Sequence, residues 1–336
     1  MKKNNNFDFL RFLFAVFVVI SHSYPLSGSN ETFQWIYQIS NGQLVLARIG
    51  LDGFFIISGY FIFQSLQRSK TLFSYYKKRF LRLFPALFVV LLISTLLLPF
   101  VYEGVKPILE NPQVFTYIPY NMSLYNFQPV IEGVFDDNPY HAINGSLWTI
   151  RYEFSLYIAI SLLFFFRKNE IIKKGLIFIT FLCLMVLYNF FLTRYAGSSI
   201  FGMVGYEILD LGTFFVCGSL LAAINFEKLI KYWMLPLALL IVLLSINYDF
   251  YSTVKHIVLP IIVLTLGFRS LPFFSTFGKI GDMSYGIYIY SFPIQQTLMF
   301  FFNLNTDQLI IYSLLASIVF GYLSWHLIEK KALRYK

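Results

Sequence analysis

The segment Phe7–His22, FDFLRFLFAVFVVISH, decides how the rest of the chain is read. Its apolar run has nearly the length of a membrane span, yet it carries Asp8, Arg11 and His22. A secretory leader needs an uninterrupted apolar stretch followed by a small-residue cleavage pattern, and neither is present, so the segment reads as a retained first helix. Arg11 and His22 stand 11 residues apart. At about 100° and 1.5 Å per residue they lie within about 20° of one face and about 16 Å apart along the axis. They share a wall but cannot touch one reacting atom. Ionisable groups inside a span are costly, so each is a functional candidate. The plainer readings are an Arg11 that snorkels to an interface and a His22 that hydrogen-bonds a neighbouring helix.

The composition agrees with a lipid setting. Of the 336 residues, 57% are hydrophobic and 13% charged, about half the charged fraction of a soluble domain. Apolar segments near spanning length fall at roughly 7–26, 43–65, 83–101, 147–166, 174–192, 206–224, 232–247, 253–268, 284–302 and 308–326. The expected fold is an all-α integral membrane protein, a single domain over 1–336 with about ten spanning helices; the seventh and eighth segments are short. Charge placement sets the orientation. With the N-terminus inside, cytoplasmic segments hold 20 of the 26 basic residues. The opposite loops hold little beyond Lys106, Arg194 and Lys255 but carry Glu103, Glu110, Glu132, Asp136 and Asp137. That asymmetry predicts both termini in the cytoplasm. The net charge of +9 therefore reflects membrane orientation and not a nucleic-acid partner. Residues 102–146 form the longest loop, too long for a simple connection, and are expected to be an ordered outer cap. The chain stops about ten residues after its last apolar segment, so no appended soluble domain is expected. Cys183 and Cys217 sit in apolar runs and imply no disulfide.

Three further stretches carry polar groups. NGSLWTIRYEFSLY, 144–157, places Glu153 two turns inside the fourth span with Arg151 beside it. A buried carboxylate needs a partner, so Glu153 pairs either with an arginine to fix packing or with His22, which it would orient. YYKKRFLRLFPAL, 75–87, puts Arg79 and Arg82 at i, i+3 at the start of the third helix, next to Lys78. Positive-inside anchoring explains such pairs, and a phosphate site is the alternative. GLDGFFIISGYFI, 50–62, has glycines that permit close helix approach, with Asp52 expected as a cap. His141, His256 and His326 show no metal-ligand spacing, so no metal site is expected.

Taken together, FDFLRFLFAVFVVISH, GLDGFFIISGYFI, RFLR, SLWTIRYEFSLY, MSYGIYIYSFPIQQ and WHLIEKKALR resemble, in order along the whole chain, the signatures of the acyltransferase-3 family of membrane O-acyltransferases. Ser291 and Lys331 depart from the family pattern, standing where a histidine and a proline are common. The first departure points back to His22. The resemblance implies transfer of an acyl group, usually acetyl, from cytoplasmic acyl-CoA to a hydroxyl of a surface glycan or another extracytoplasmic acceptor. Acyl-CoA is then a co-substrate, with no permanently bound cofactor. A bacterial cytoplasmic membrane is the expected location.

On that reading His22 is the base or is transiently acylated, Glu153 fixes its tautomer, and Arg11 lies along the pantetheine path. Arg79, Arg82 and Lys78 hold the CoA phosphates, and Asp8, Asp52, Ser58 and Trp148 support the site. A transporter or flippase for a small solute or glycan precursor would also bury charges on one inward face. Acyl-CoA-dependent modification, against movement of an unmodified solute, separates the two.

Overall fold

The computed structural model describes residues 5–248, 250–269 and 271–336 and is almost entirely helical. The bundle consists of α1 (Phe7–Leu26), α2 (Leu46–Arg68), α3 (Leu72–Val101), α4 (Trp148–Ser161), α5 (Glu170–Tyr195), α6 (Gly205–Ala223), α7 (Met234–Ser245), α8 (Tyr251–Phe268), α9 (Ser284–Phe302) and α10 (Thr306–Ser324). Each expected apolar segment appears as a helix. Among the described residues eight are long and apolar enough to cross a membrane, making this a multi-pass membrane protein.

The two that fall short do so for different reasons. α7 has 12 residues, about 18 Å of rise against a hydrocarbon core of about 30 Å. α9 has 19 residues, but Tyr285, Tyr288, Tyr290, Gln295 and Gln296 dilute its apolar character. Most of that polar surface is buried against other helices. Gln295 donates to the Val19 carbonyl at 2.9 Å and to Ser23 at 2.8 Å, tying α9 to α1.

Where helix ends moved, the cause is polarity. α3 starts at Leu72, 11 residues before the expected boundary at 83, because Thr71 caps the Ser74 amide and the helix runs on past its apolar part. Arg79 and Arg82 are therefore about two and about three turns inside a helix, not at its start. α2 begins at Leu46 with no side-chain cap. Asp52, expected to cap it, instead faces Arg48 at 3.3 Å, one turn back on the same helix.

Glycine sets how deep the helices interlock. A side chain on Gly59 would strike the Phe215 carbonyl, and one on Gly218 the Ile56 carbonyl, so α2 and α6 meet backbone to backbone. On its other side α2 runs antiparallel to α1. Phe61 packs edge-on against Phe7 at 4.8 Å, while Gly50 lies against Phe14 and Val18.

The loop from 102 to 146 is ordered. It contains a helix, Pro112–Met122, and closes on itself where the Glu103 amide donates to the Gly133 carbonyl at 2.7 Å. Side-chain amides fasten it to α9: Asn138 donates to the Gln296 carbonyl (3.0 Å), Asn144 to the Ile289 carbonyl (2.8 Å), and Gln296 to the Ala142 carbonyl (2.6 Å).

Candidate active site

A cavity of about 460 Å³ lies inside the bundle between α1, α2, α3, α4 and α9. α1 contributes Asp8 and Arg11; α2 contributes residues from Ile62 to Leu51, with Ser58 between them; α3 contributes Arg79 and Arg82; α4 contributes Thr149, Glu153 and Tyr157. Tyr285 and Tyr288 of α9 and Asp282 before it complete the wall. A second hollow of about 470 Å³ adjoins it at the end of the bundle holding the start of α1. The two share Asp8, Arg11, Phe61, Arg79 and Lys336, and the second adds Arg68 and Lys78. Together they form a basic mouth leading into a deep, mixed apolar and hydroxyl-lined chamber.

Arg11 faces this chamber and not lipid. It pairs with Asp8 at 3.3 Å, approaches Asp282 at 3.8 Å, and lies 5.4 Å from the centre of the Phe61 ring. The two arginines of α3 divide their work. Arg82 donates from one terminal nitrogen to Asp282 at 2.7 Å and from the other to Glu329 at 3.2 Å, so its fork is already filled by carboxylates. Burial alone would raise the Asp282 carboxyl, but Arg82 and then Arg11 overcome that and hold it at about 2. Arg79 donates to Ser65 at 3.3 Å and lies over the rings of Tyr75 and Tyr157, with no carboxylate within ion-pair range among the described residues. Its Nε is buried and without a hydrogen bond. Of the expected phosphate ligands, Arg79 and Lys78 reach the mouth hollow, whereas Arg82 lines only the inner chamber.

Glu153 is one turn from Tyr157 on α4. Its Oε1 accepts from the Ser58 hydroxyl at 3.0 Å and from the Tyr157 hydroxyl. The expected hydrogen bond between Glu153 and His22 is not formed among the described residues. His22 does not line the cavity; its ring packs edge-on to Phe292 at 5.5 Å, and its buried Nδ1 has no hydrogen bond. Because Gly50 is level with Phe14 and Val18, the inner end of the chamber at Leu51 stops roughly one to two turns, about 6–12 Å, short of His22. Trp148 starts α4 and packs on Tyr152 at 5.3 Å. Arg151 points away from the chamber, over Phe127 of the 102–146 loop.

A second charged cluster went unnoticed in the sequence. Arg48 contacts Asp52, Glu207 (2.7 Å) and Asp210, while Lys255 (2.8 Å) and His256 (2.6 Å) both reach Asp210. It joins α2, α6 and α8 away from the cavity. The test applied to the first helix, ionisable residues within apolar segments, also picks out Arg48, Glu207 and Asp210. Among the described residues no group of His, Cys, Asp and Glu is arranged to hold a metal ion.

A multi-pass helical bundle with a basic-mouthed internal chamber is the class that fold and site define. The chain belongs to the acyltransferase-3 family, whose acyltransferase domain it matches over residues 4–328, and it is an acyltransferase. It is similar to an O-acetyl transferase of Shigella phage Sf6, 26% identical over 340 residues, covering 99% of this chain and 97% of the relative. It is also similar to Nodulation protein 10 of Rhizobium leguminosarum bv. viciae, 26% identical over 367 residues, covering 98% and 93%. No solved structure matches it.

Proposed function

We propose that the protein is an O-acetyltransferase of a bacterial cytoplasmic membrane, with about ten membrane-embedded helices and both termini inside. It moves an acetyl group from cytoplasmic acetyl-CoA to a hydroxyl of a surface glycan. The observation that carries this reading is the chamber that opens among Arg68, Lys78, Arg79 and Lys336 and runs inward past Arg11. Its mouth lies on the face where positive residues concentrate, and guanidinium and ammonium groups suit phosphate oxygens. The name of the Shigella phage relative supports the acetyl group and the hydroxyl acceptor.

In this reading Arg79 and Lys78 hold the CoA phosphates, and Arg82 fixes the wall through Asp282 and Glu329. The arm enters the chamber with its thioester leading, towards the half of α1 that carries His22. The acceptor comes from the side of the 102–146 loop. Its oxygen attacks the thioester carbonyl carbon, the carbon–sulfur bond breaks, and the hydroxyl proton passes through His22 to the departing thiolate. The remaining gap to His22 closes as the acceptor or the thioester enters it.

The deciding experiment compares O-acyl groups on surface glycans from cells with the gene, without it, and with His22→Ala at equal protein level. Loss of acyl groups in the last two is expected. Unchanged acylation without the gene, or export of an unmodified solute that depends on it, would end this reading.

A further inference from the structure

Ser58 does not make the bond to its own helix that is common among the hydroxyls of this bundle. Ser23, Thr95, Thr213 and Ser219 each donate to the carbonyl four residues back in their own helix. That is the usual refuge of a helical hydroxyl. Ser58 instead donates across the chamber wall to Glu153. Tyr157 donates to the same oxygen, Oε1. Glu153 Oε2 is left without a hydrogen bond among the described residues, on a side chain that lines the chamber. Two donors thus orient a carboxylate whose second oxygen is open to whatever fills the space.

Depth identifies that occupant. Ser65 and Arg68 mark the basic mouth on α2. Ser58 is 7 to 10 residues further in, about 10–15 Å. An extended chain advances about 3.5 Å for every three bonds. The second amide of a CoA arm, about ten bonds beyond the phosphorus, therefore falls about 12 Å inward, level with Ser58. Arg11 lies near the same depth, against Phe61. An acceptor on α4 and a donor on α1 match the N–H and C=O that a secondary amide presents on its opposite edges.

We propose that Glu153, held by Ser58 and Tyr157, is the subsite for the pantetheine amide nearest the thioester, taking its N–H on Oε2. It positions the donor arm and is not the partner of His22. The assignment rests on the acyl-CoA reading above.

The test is binding by the purified full chain in lipid nanodiscs, with CoA and adenosine 3′,5′-bisphosphate as probes. The bisphosphate carries phosphates but no arm. Glu153→Gln and Ser58→Ala should weaken CoA binding about tenfold, the scale of one charge-assisted hydrogen bond, and leave bisphosphate binding within about twofold. Retained bisphosphate binding also reports that each variant is folded. Unchanged CoA affinity in Glu153→Gln, or a parallel loss for both probes, overturns the subsite. Wild-type protein that binds neither probe overturns the acyl-CoA reading itself.

Discussion

Arg82 and Asp282 meet at 2.7 Å, and this ion pair joins the middle of α3 to the segment just before α9. With Glu329 on its other nitrogen, Arg82 is a structural tie among three parts of the chain. Removing one member of a buried pair leaves an uncompensated charge and costs about 3–5 kcal/mol. Arg82→Ala should therefore lower the melting temperature in detergent sharply. Arg79→Ala, which breaks no ion pair, should barely change it while weakening acetyl-CoA binding. The reverse pattern would exchange their roles. The Arg82–Asp282 contribution should persist to low pH: a depressed carboxyl contributes above its unfolded pKa of about 4 and loses that contribution as pH falls through about 2.

His22 gives a different signature. A general base accelerates by about 10²–10⁴-fold without holding the donor. His22→Ala should cut turnover by at least a hundredfold, while CoA affinity stays within about twofold. Isothermal titration beside a turnover assay reads both. An equal loss in binding and rate would make His22 part of the donor site instead.

Lys336 supplies a pH test. Burial lowers its ammonium first, and Arg82, Arg79 and Lys78 lower it further, to about 8. Below that value it is charged and attracts phosphate; above it the attraction is lost. Acetyl-CoA affinity should fall as pH rises from about 7 to about 9, and Lys336→Arg, charged throughout, should flatten the profile. A wild-type profile already flat over that range would remove Lys336 from the phosphate site.

The cluster around Asp210 predicts a stability effect separate from binding. Asp210→Ala leaves Arg48, Lys255 and His256 without their shared acceptor. Thermal unfolding should register a loss of about 3–5 kcal/mol, with bisphosphate binding by the surviving folded fraction unchanged. A small shift in melting temperature would mean that Asp52 and Glu207 suffice to balance Arg48.

Helix positions were largely legible from apolar runs, as with α1, expected at 7–26 and found at Phe7–Leu26. The α3 boundary was not, since hydropathy marks the lipid-buried length while the Thr71 cap and continued backbone bonding mark the helix. The approach of Arg11 to a cavity was legible from its placement in a span. The pairing of Glu153 was not, because it depends on how far one helix slides along another. The Ser58–Glu153 bond reports the offset of α4 against α2, and no single-helix pattern encodes it. The pattern shows that a buried carboxylate needs a donor, but not which helix brings it.

The hydrogen bonds that side-chain amides make between the 102–146 loop and α9 give the protein a mechanical property. Asn138, Asn144 and Gln296 rivet the loop to a helix whose tyrosines 285 and 288 form part of the chamber wall. Displacing the loop alone requires breaking several of these bonds in a poorly hydrated setting, whereas displacing it together with α9 retains them. Whatever pushes the loop aside would then also shift the chamber wall, so an event at the loop is felt inside the bundle.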